Sequence, residues 1–306
     1  MRPVVAGITA LAAAAVSAAL SADLADRPPG GGDSDVRAPG AAAPAPTPGF
    51  FAPPSFEGPA APTSGAPPPV QYRERELEPH EFYFTRAMYS DGRSDLRDWG
   101  RRRSRGSWAT DWPKADHQFI VVVKRLANLD AYDWENAVSL ADPAVRNFPF
   151  LYALEVGAMS LTEAEVEGLR DYLAAGGFLV IDDFWGDREW DNFEREIRRV
   201  LPSRPIEDLS SLEHPIFRAF YDIEEIRRVP EVNRGMRGEP YYSECGACQP
   251  TVRGIFDEDG RLMVIIHWNT DLGDAWEHAE NPFYPLDRST FAYEMGVNMI
   301  VYAMSH

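Results

Sequence analysis

The sequence predicts a three-layer α/β domain with a mostly parallel sheet, a C-terminal β-hairpin and a closing helix. Three observations carry that expectation. Helical and strand periodicities alternate from residue 81 to the C-terminus. Phe178-Leu179-Val180-Ile181 is a continuous apolar run after Gly176-Gly177, as a strand buried on both faces requires. Thr251 to Asp257 and Leu262 to Trp268 flank Asp259-Gly260, a hairpin signature.

The elements before the domain read differently. Residues 1–22 have a charged start at Arg2, an uncharged Ala-rich run from Val4 to Leu20, and small residues placed for cleavage. They predict a cleaved secretory signal of a secreted or periplasmic protein. An uncleaved membrane anchor is the alternative, weakened by the low hydrophobicity of so much alanine. Residues 23–79 hold fourteen prolines and seven glycines between Pro28 and Pro79. Such a stretch buries too little apolar surface to offset its ordering entropy and predicts a disordered tether. Phe50 and Phe51 are its only adjacent aromatics.

Residues 80–306 form the expected domain. Glu81 to Arg86 reads as the first strand. Arg86, Arg93, Arg97, Arg101, Arg102, Arg103 and Arg105 then make a local positive island. It suits an anion gripped by guanidinium forks, or a solvated loop paired with acids elsewhere. A helix follows from Ala115 to Asn128, with Phe119, Val122, Val123 and Leu126 as its stripe and Asp111 or Asp116 as its cap. Ala137 to Leu140 and Phe150 to Leu154 read as strands. Thr162 and Glu165 form a capping box before the stripe Val166, Leu169 and Leu173. After the strand ending in Asp182-Asp183, Glu189 to Leu201 reads as a helix and Pro205 to Leu209 as a short edge strand. Residues 210–249 read as loops with one short helix. The last helix is expected from Arg288 to Met304, with Phe291, Met295, Met299 and Tyr302 inward.

The candidate site follows from strand ends. In open α/β sheets ligands bind outside the carboxyl ends of the strands. Arg86, Glu155, Asp182, Asp183, Asn269 and Asp271 fall there, with Trp108, Asp111, Asp274 and Trp276 in nearby loops. Asp182, Asp183 and Glu155 are the candidates for catalysis. Arg86, Trp108, Asp111, Asp271, Asp274 and Trp276 are the candidates for ligand binding, the tryptophans as stacking surfaces or as plugs on the core. Gathered carboxylates suit a hard cation or acid–base chemistry. Helix caps and ion pairs, with Arg86 neutralising Glu155 or Asp182, are the structural alternative.

Composition limits the partners. A net charge of −18 disfavours nucleic acid and anionic membranes, and contact with a membrane is expected only through an uncleaved signal segment. The histidines show no zinc-ligand spacing, so neither a metal nor another cofactor is expected, a divalent cation on carboxylates staying open. Cys245-Gly-Ala-Cys248 lies in a broken loop and, in an exported chain, predicts a local disulfide.

From Phe82 onward the chain resembles the bacterial family catalogued as a domain of unknown function, DUF4159. The likeness is carried by Phe84-Thr85-Arg86, Gly106-Ser107-Trp108-Ala109-Thr110-Asp111, Phe148-Pro149-Phe150-Leu151-Tyr152 and Gly176 to Phe184. Asp271-Leu272-Gly273-Asp274-Ala275-Trp276-Glu277 and Tyr302 to His306 continue it. The resemblance implies a flavodoxin-like sheet similar to class I glutamine amidotransferases, and no established activity. That superfamily uses a Cys in a Gly-x-Cys-x-Gly elbow. Here the comparable strand ends in Asp182-Asp183-Phe184, so no thiol nucleophile is expected. The sequence thus predicts an exported domain binding an unknown ligand or envelope protein. A carboxylate-dependent hydrolase of glycans or other envelope substrates, with or without a divalent cation, is the alternative.

Overall fold

The computed structural model describes residues 79–91, 106–232, 245 and 248–306. The signal segment, the tether up to residue 78 with Phe50 and Phe51, and the arginines from Arg93 to Arg105 lie outside the described residues.

One sheet contains β1 (Thr85–Met88), β2 (Asn136–Ser139), β3 (Phe150–Leu154), β4 (Phe178–Asp182), β5 (Glu207–Asp208), β6 (Thr251–Phe256) and β7 (Leu262–Trp268). Their order is β2-β1-β3-β4-β7-β6-β5. The first five in that order are parallel, β6 runs antiparallel to β7, and β5 antiparallel to β6. The parallel set has the doubly wound order 2-1-3-4-5 of flavodoxin-like sheets. The helices are α1 (Lys114–Ala127), α2 (Glu163–Ala174), α3 (Gly186–Val200), α4 (Leu272–Glu277) and α5 (Leu286–Ser305). Among the described residues no helix is long and apolar enough to cross a membrane.

The three layers follow from strand alternation. Every residue of β3 and β4 is buried. Phe150, Tyr152, Phe178 and Val180 join a core with Phe119 of α1, Trp276 of α4 and Met295 of α5. Leu151, Ala153, Leu179 and Ile181 join a second core with Leu169 of α2 and Phe193 of α3. Successive side chains of a strand point to opposite faces, so both faces must be covered.

Local signals explain the boundaries. The capping box of α2 is formed: Thr162 Oγ1 accepts from the Glu165 amide at 3.3 Å, and Glu165 Oε2 accepts from the Thr162 amide at 2.8 Å. Gly176 leaves α2 at φ 104 and Gly260 turns the β6–β7 hairpin at φ 82, backbone that favours glycine. Three expectations need correction. The first ladder starts at Thr85 rather than Glu81, because Phe82 makes only an isolated bridge to Ala131. Helix α3 starts at Gly186 rather than Glu189, since Glu189 folds back to accept from the Trp185 amide at 2.8 Å. Residues 272–277, expected as loop, form α4, capped by Asp271 accepting from the Asp274 amide at 2.8 Å.

Helix α2 packs tightly on the turn after β2. A Cβ on Gly168 would lie 1.9 Å from the Leu140 carbonyl oxygen. Alanine gains about 1 kcal/mol of helix propensity, but overpacking against backbone costs about 1–3 kcal/mol or more. Gly168→Ala is therefore expected to lower the urea midpoint; an unchanged or raised midpoint would contradict this packing.

Candidate functional site

The site begins with a buried ion pair. Arg86 on β1 is fully buried. Its Nε and Nη2 donate to Asp116 Oδ1 at 2.9 and 2.7 Å, and its Nη1 donates to the carbonyls of Thr110 at 2.6 Å and Trp108 at 3.2 Å. Arg86 thus neutralises neither Glu155 nor Asp182, and it does not stand on the rim as a ligand-binding group. Asp116 is on the first turn of α1, facing the sheet, and is no helix cap. The fork instead pins residues 108–110 and so sets the path of the chain at Asp111.

Carboxylates from three further junctions meet that loop. After β4, Asp182 Oδ2 accepts from Tyr152 Oη at 2.6 Å and from the amides of Leu272 at 2.9 Å and Gly273 at 3.2 Å. This joins the ends of β3, β4 and β7. Asp182 Oδ1 is sealed from solvent with no hydrogen-bond partner among the described residues. Asp183 accepts from Trp185 Nε1 at 2.9 Å, and its carbonyl accepts from the Glu155 amide at 3.0 Å. On α4, Asp274 Oδ2 accepts from the Val232 amide at 2.6 Å. One oxygen each of Asp111, Asp271 and Asp274 lies within 4.8 Å of the other two. Gly273 is central: a Cβ there would meet Tyr152 Oη at 3.0 Å, Asp111 Oδ2 at 3.3 Å and Asp271 Oδ1 at 3.4 Å.

The backbone is strained at the same place. Asp111, Glu155, Asp183 and Asn269 have φ between 50 and 64°, four of the six positive-φ residues other than glycine among those described. Each such residue costs about 1–3 kcal/mol and persists only where surroundings over-determine it.

Electrostatics favour protons on these carboxylates. Burial pushes Asp182 up to about 7 against the pull of its hydrogen bonds from Tyr152 and Gly273. Burial, opposed by Arg86 and helped by Glu277, takes Asp111 to about 7. Burial and the charge of Asp111 take Asp274 to about 6. Asp183 rises well above the carboxylate range through burial and then Glu155, and Asp271 through burial and then Asp183. Tyr152, also driven up by burial and by Asp182, stays a proton donor. At the mouth, Asp111 and Glu277 share a hydrogen bond, Lys114 pairs with Glu280 at 3.1 Å, and His278 Nε2 is 3.8 Å from Asp274.

The structure therefore brings together Asp111, Glu155, Asp182, Asp183, Asp271 and Asp274. It separates the aromatic candidates from any stacking role. Trp276 is fully buried, 4.2 Å from the Phe119 ring and 5.3 Å from the Tyr152 ring, and Trp108 is buried against Trp112. Both plug loops onto the core. Asn269 is a strut: its Oδ1 accepts from the Gly186 amide at 2.9 Å and its Nδ2 donates to the Gln249 carbonyl at 2.9 Å. Cys245 and Cys248 are joined, with Cα atoms 5.9 Å apart, and Cys245 Sγ is 3.4 Å from Asn269 Oδ1. Sequence reasoning missed Tyr152 and Gly273. Tyr152, a polar-tipped residue in an otherwise apolar strand, was the available signal.

Fold and site together define a doubly wound α/β domain with a carboxylate cluster at the strand carboxyl ends. Residues 100–304 match the family described as Domain of unknown function (DUF4159), and the chain belongs to that family. A comparison with the curated proteins finds no match.

Proposed function

We propose that this chain is an exported ligand-binding protein whose α/β domain takes an electropositive ligand at Asp111, Asp183, Asp271 and Asp274. One observation carries the reading. Carboxylates from three separate loops converge at the strand carboxyl ends, while the nearest buried cation, Arg86, is committed to Asp116. Protons occupy much of the empty set, and a cation, or an amine on a small molecule or on an envelope protein, takes their place by compensating the ionised carboxylates. The clustering of left-handed backbone at the same residues supports it, since strain collects at functional sites. Export rests on residues 1–22, with their charged start and apolar run.

A second reading, carboxylate-dependent hydrolysis, is favoured by the pair Asp182 and Asp183. Hydrogen bonds from Tyr152 and from backbone amides hold Asp182, while Asp183 is pushed higher, and such a split suits one base and one acid. With Arg86 and Trp276 buried, neither a charge clamp nor a sugar platform supports it, so binding is preferred.

The test is thermal-shift titration of the full chain with spermidine and glucosamine, against N-acetylglucosamine and citrate. The amines are expected to stabilise wild type and to lose that effect in Asp111→Asn/Asp274→Asn. Stabilisation by citrate alone, or an amine effect that survives the double substitution, would overturn the reading.

A further inference from the structure

Apart from the carboxylate site, we propose that the groove between α5 and residues 222–227 docks a short segment of a partner protein in which lysines or arginines alternate with bulky apolar residues. The groove has a volume of about 870 Å³. Phe291 of α5 and Ile223 of the facing segment are buried along it, and Leu286 stands exposed at its lip. Among the described residues six large apolar side chains are exposed. Three of them, Phe220, Phe283 and Leu286, lie in or next to the two segments that build this groove, at 49, 72 and 50% exposure. Apolar side chains left wet in one region mark a surface that meets a partner.

The length of the groove sets the length of the occupant. Asn298 Oδ1 accepts from the amides of Phe220 at 3.0 Å and Tyr221 at 2.7 Å. That end of the segment is therefore pinned about 18 Å along α5 from Leu286. An extended chain covers that span with about five or six residues.

Charge sets its composition. The walls carry Asp222, Glu224, Glu225, Asp287 and Glu294 against the single guanidinium of Arg227. Arg227 crosses between the walls, pairing with Glu225 at 2.6 Å and with Asp287 at 3.3 Å. Asp222, Glu224 and Glu294 have no ion-pair partner among the described residues. Burial raises Glu294, with Arg227 opposing, so a cation laid beside it is rewarded. Acids and apolar groups share one groove, and that combination selects the occupant. A free polyamine would answer the charges and leave Phe283 and Leu286 wet. An anionic membrane would cover the apolar groups and meet the carboxylates. A second copy brings the same net charge of −18. A segment both basic and apolar answers both features.

The experiment follows the fluorescence anisotropy of labelled peptides of about six residues on titration with the full chain. One alternates lysine and leucine, one lysine and serine, and one glutamate and leucine. The lysine–leucine peptide is expected to bind at least about tenfold tighter than either control, and to weaken as salt rises. Phe283→Ser/Leu286→Ser and Asp222→Asn/Glu294→Gln are each expected to weaken it by at least about tenfold. These side chains are exposed or half-buried, so both variants should match wild type in thermal melting and in the shift produced by spermidine. That separates a lost surface from a lost fold and from the carboxylate site. Equal binding of the two lysine peptides would overturn the assignment, as would binding that survives both double variants. Failure of the lysine–leucine peptide to bind would overturn it too. So would a dimer in sedimentation velocity, or retention on anionic vesicles, that Phe283→Ser/Leu286→Ser abolishes, since a second copy or a membrane would then cover the groove.

Discussion

Replacing Arg86 by methionine is expected to destabilise the domain by about 3–5 kcal/mol, the cost of leaving a buried charge without its partner. Arg86 and Asp116 have side chains 1% and 0% exposed, so water cannot rescue either one. The loss also takes the Arg86 donor from the carbonyls of Trp108 and Thr110, and with it the path of the chain at Asp111. Arg86 is a positioning residue in this sense. Two measurements decide the point. Urea denaturation should show the loss in Arg86→Met and a smaller loss in Arg86→Met/Asp116→Leu, where no lone charge remains. A double variant as unstable as the single one would show that packing of the Arg86 stem, rather than charge pairing, holds the loop.

The metal-free, ligand-free protein is expected to lose stability as pH rises from about 6.5 to 8, by on the order of 3 kcal/mol. The sign follows from the direction of the shifts. Asp111 and Asp182 titrate near 7 and Asp274 near 6 in the fold, against 3.8 for an ordinary aspartate. Asp183 and Asp271 are higher still. Folded pKa values above unfolded ones mean the native state holds more protons, so stability is fully present below the unfolded pKa and is lost as pH rises through the folded values. His267 works the other way, since burial lowers it to about 3, but all except about 0.4 kcal/mol of that contribution is in place by pH 6.5, the unfolded value. The window above it isolates the carboxylates, which interact and release protons as a group. Urea midpoints measured with chelator present should fall across that window, and fall less in Asp274→Asn. A midpoint that climbs instead would mean the cluster is ionised and paired by something else in the chain.

Much of the frame was legible in the sequence because burial on both faces leaves a plain mark. Phe150 to Leu154 and Phe178 to Ile181 have no polar alternation, except for Tyr152, and they form β3 and β4. The capping box of α2 could be read because both partners are local, three residues apart. The convergence of Glu155, Asp182, Asp183 and Asp271 followed from strand polarity, while Asp274 was read from the density of polar groups in its loop. What failed depended on long-range pairing. Arg86 lies thirty residues from Asp116, and several acids were equal candidates for its charge. Asp116 carries the pattern of a helix cap, and only the packing of α1 on the sheet shows that it faces inward. Trp276 stayed between a stacking surface and a plug because charged neighbours surround it, although Leu272, Ala275 and Trp276 fall at i, i+3 and i+4, the stripe of a one-sided helix.

The short strand β5 has a consequence for association. A sheet margin with free amide and carbonyl groups is a template on which another chain can extend the ladder. Among the described residues the margin on that side is Glu207 and Asp208, two exposed acids in a strand of two residues. So brief a rung offers little pairing, and its negative charge turns away a second copy bearing the same excess of acid. That margin of the described sheet therefore disfavours polymerisation by strand addition.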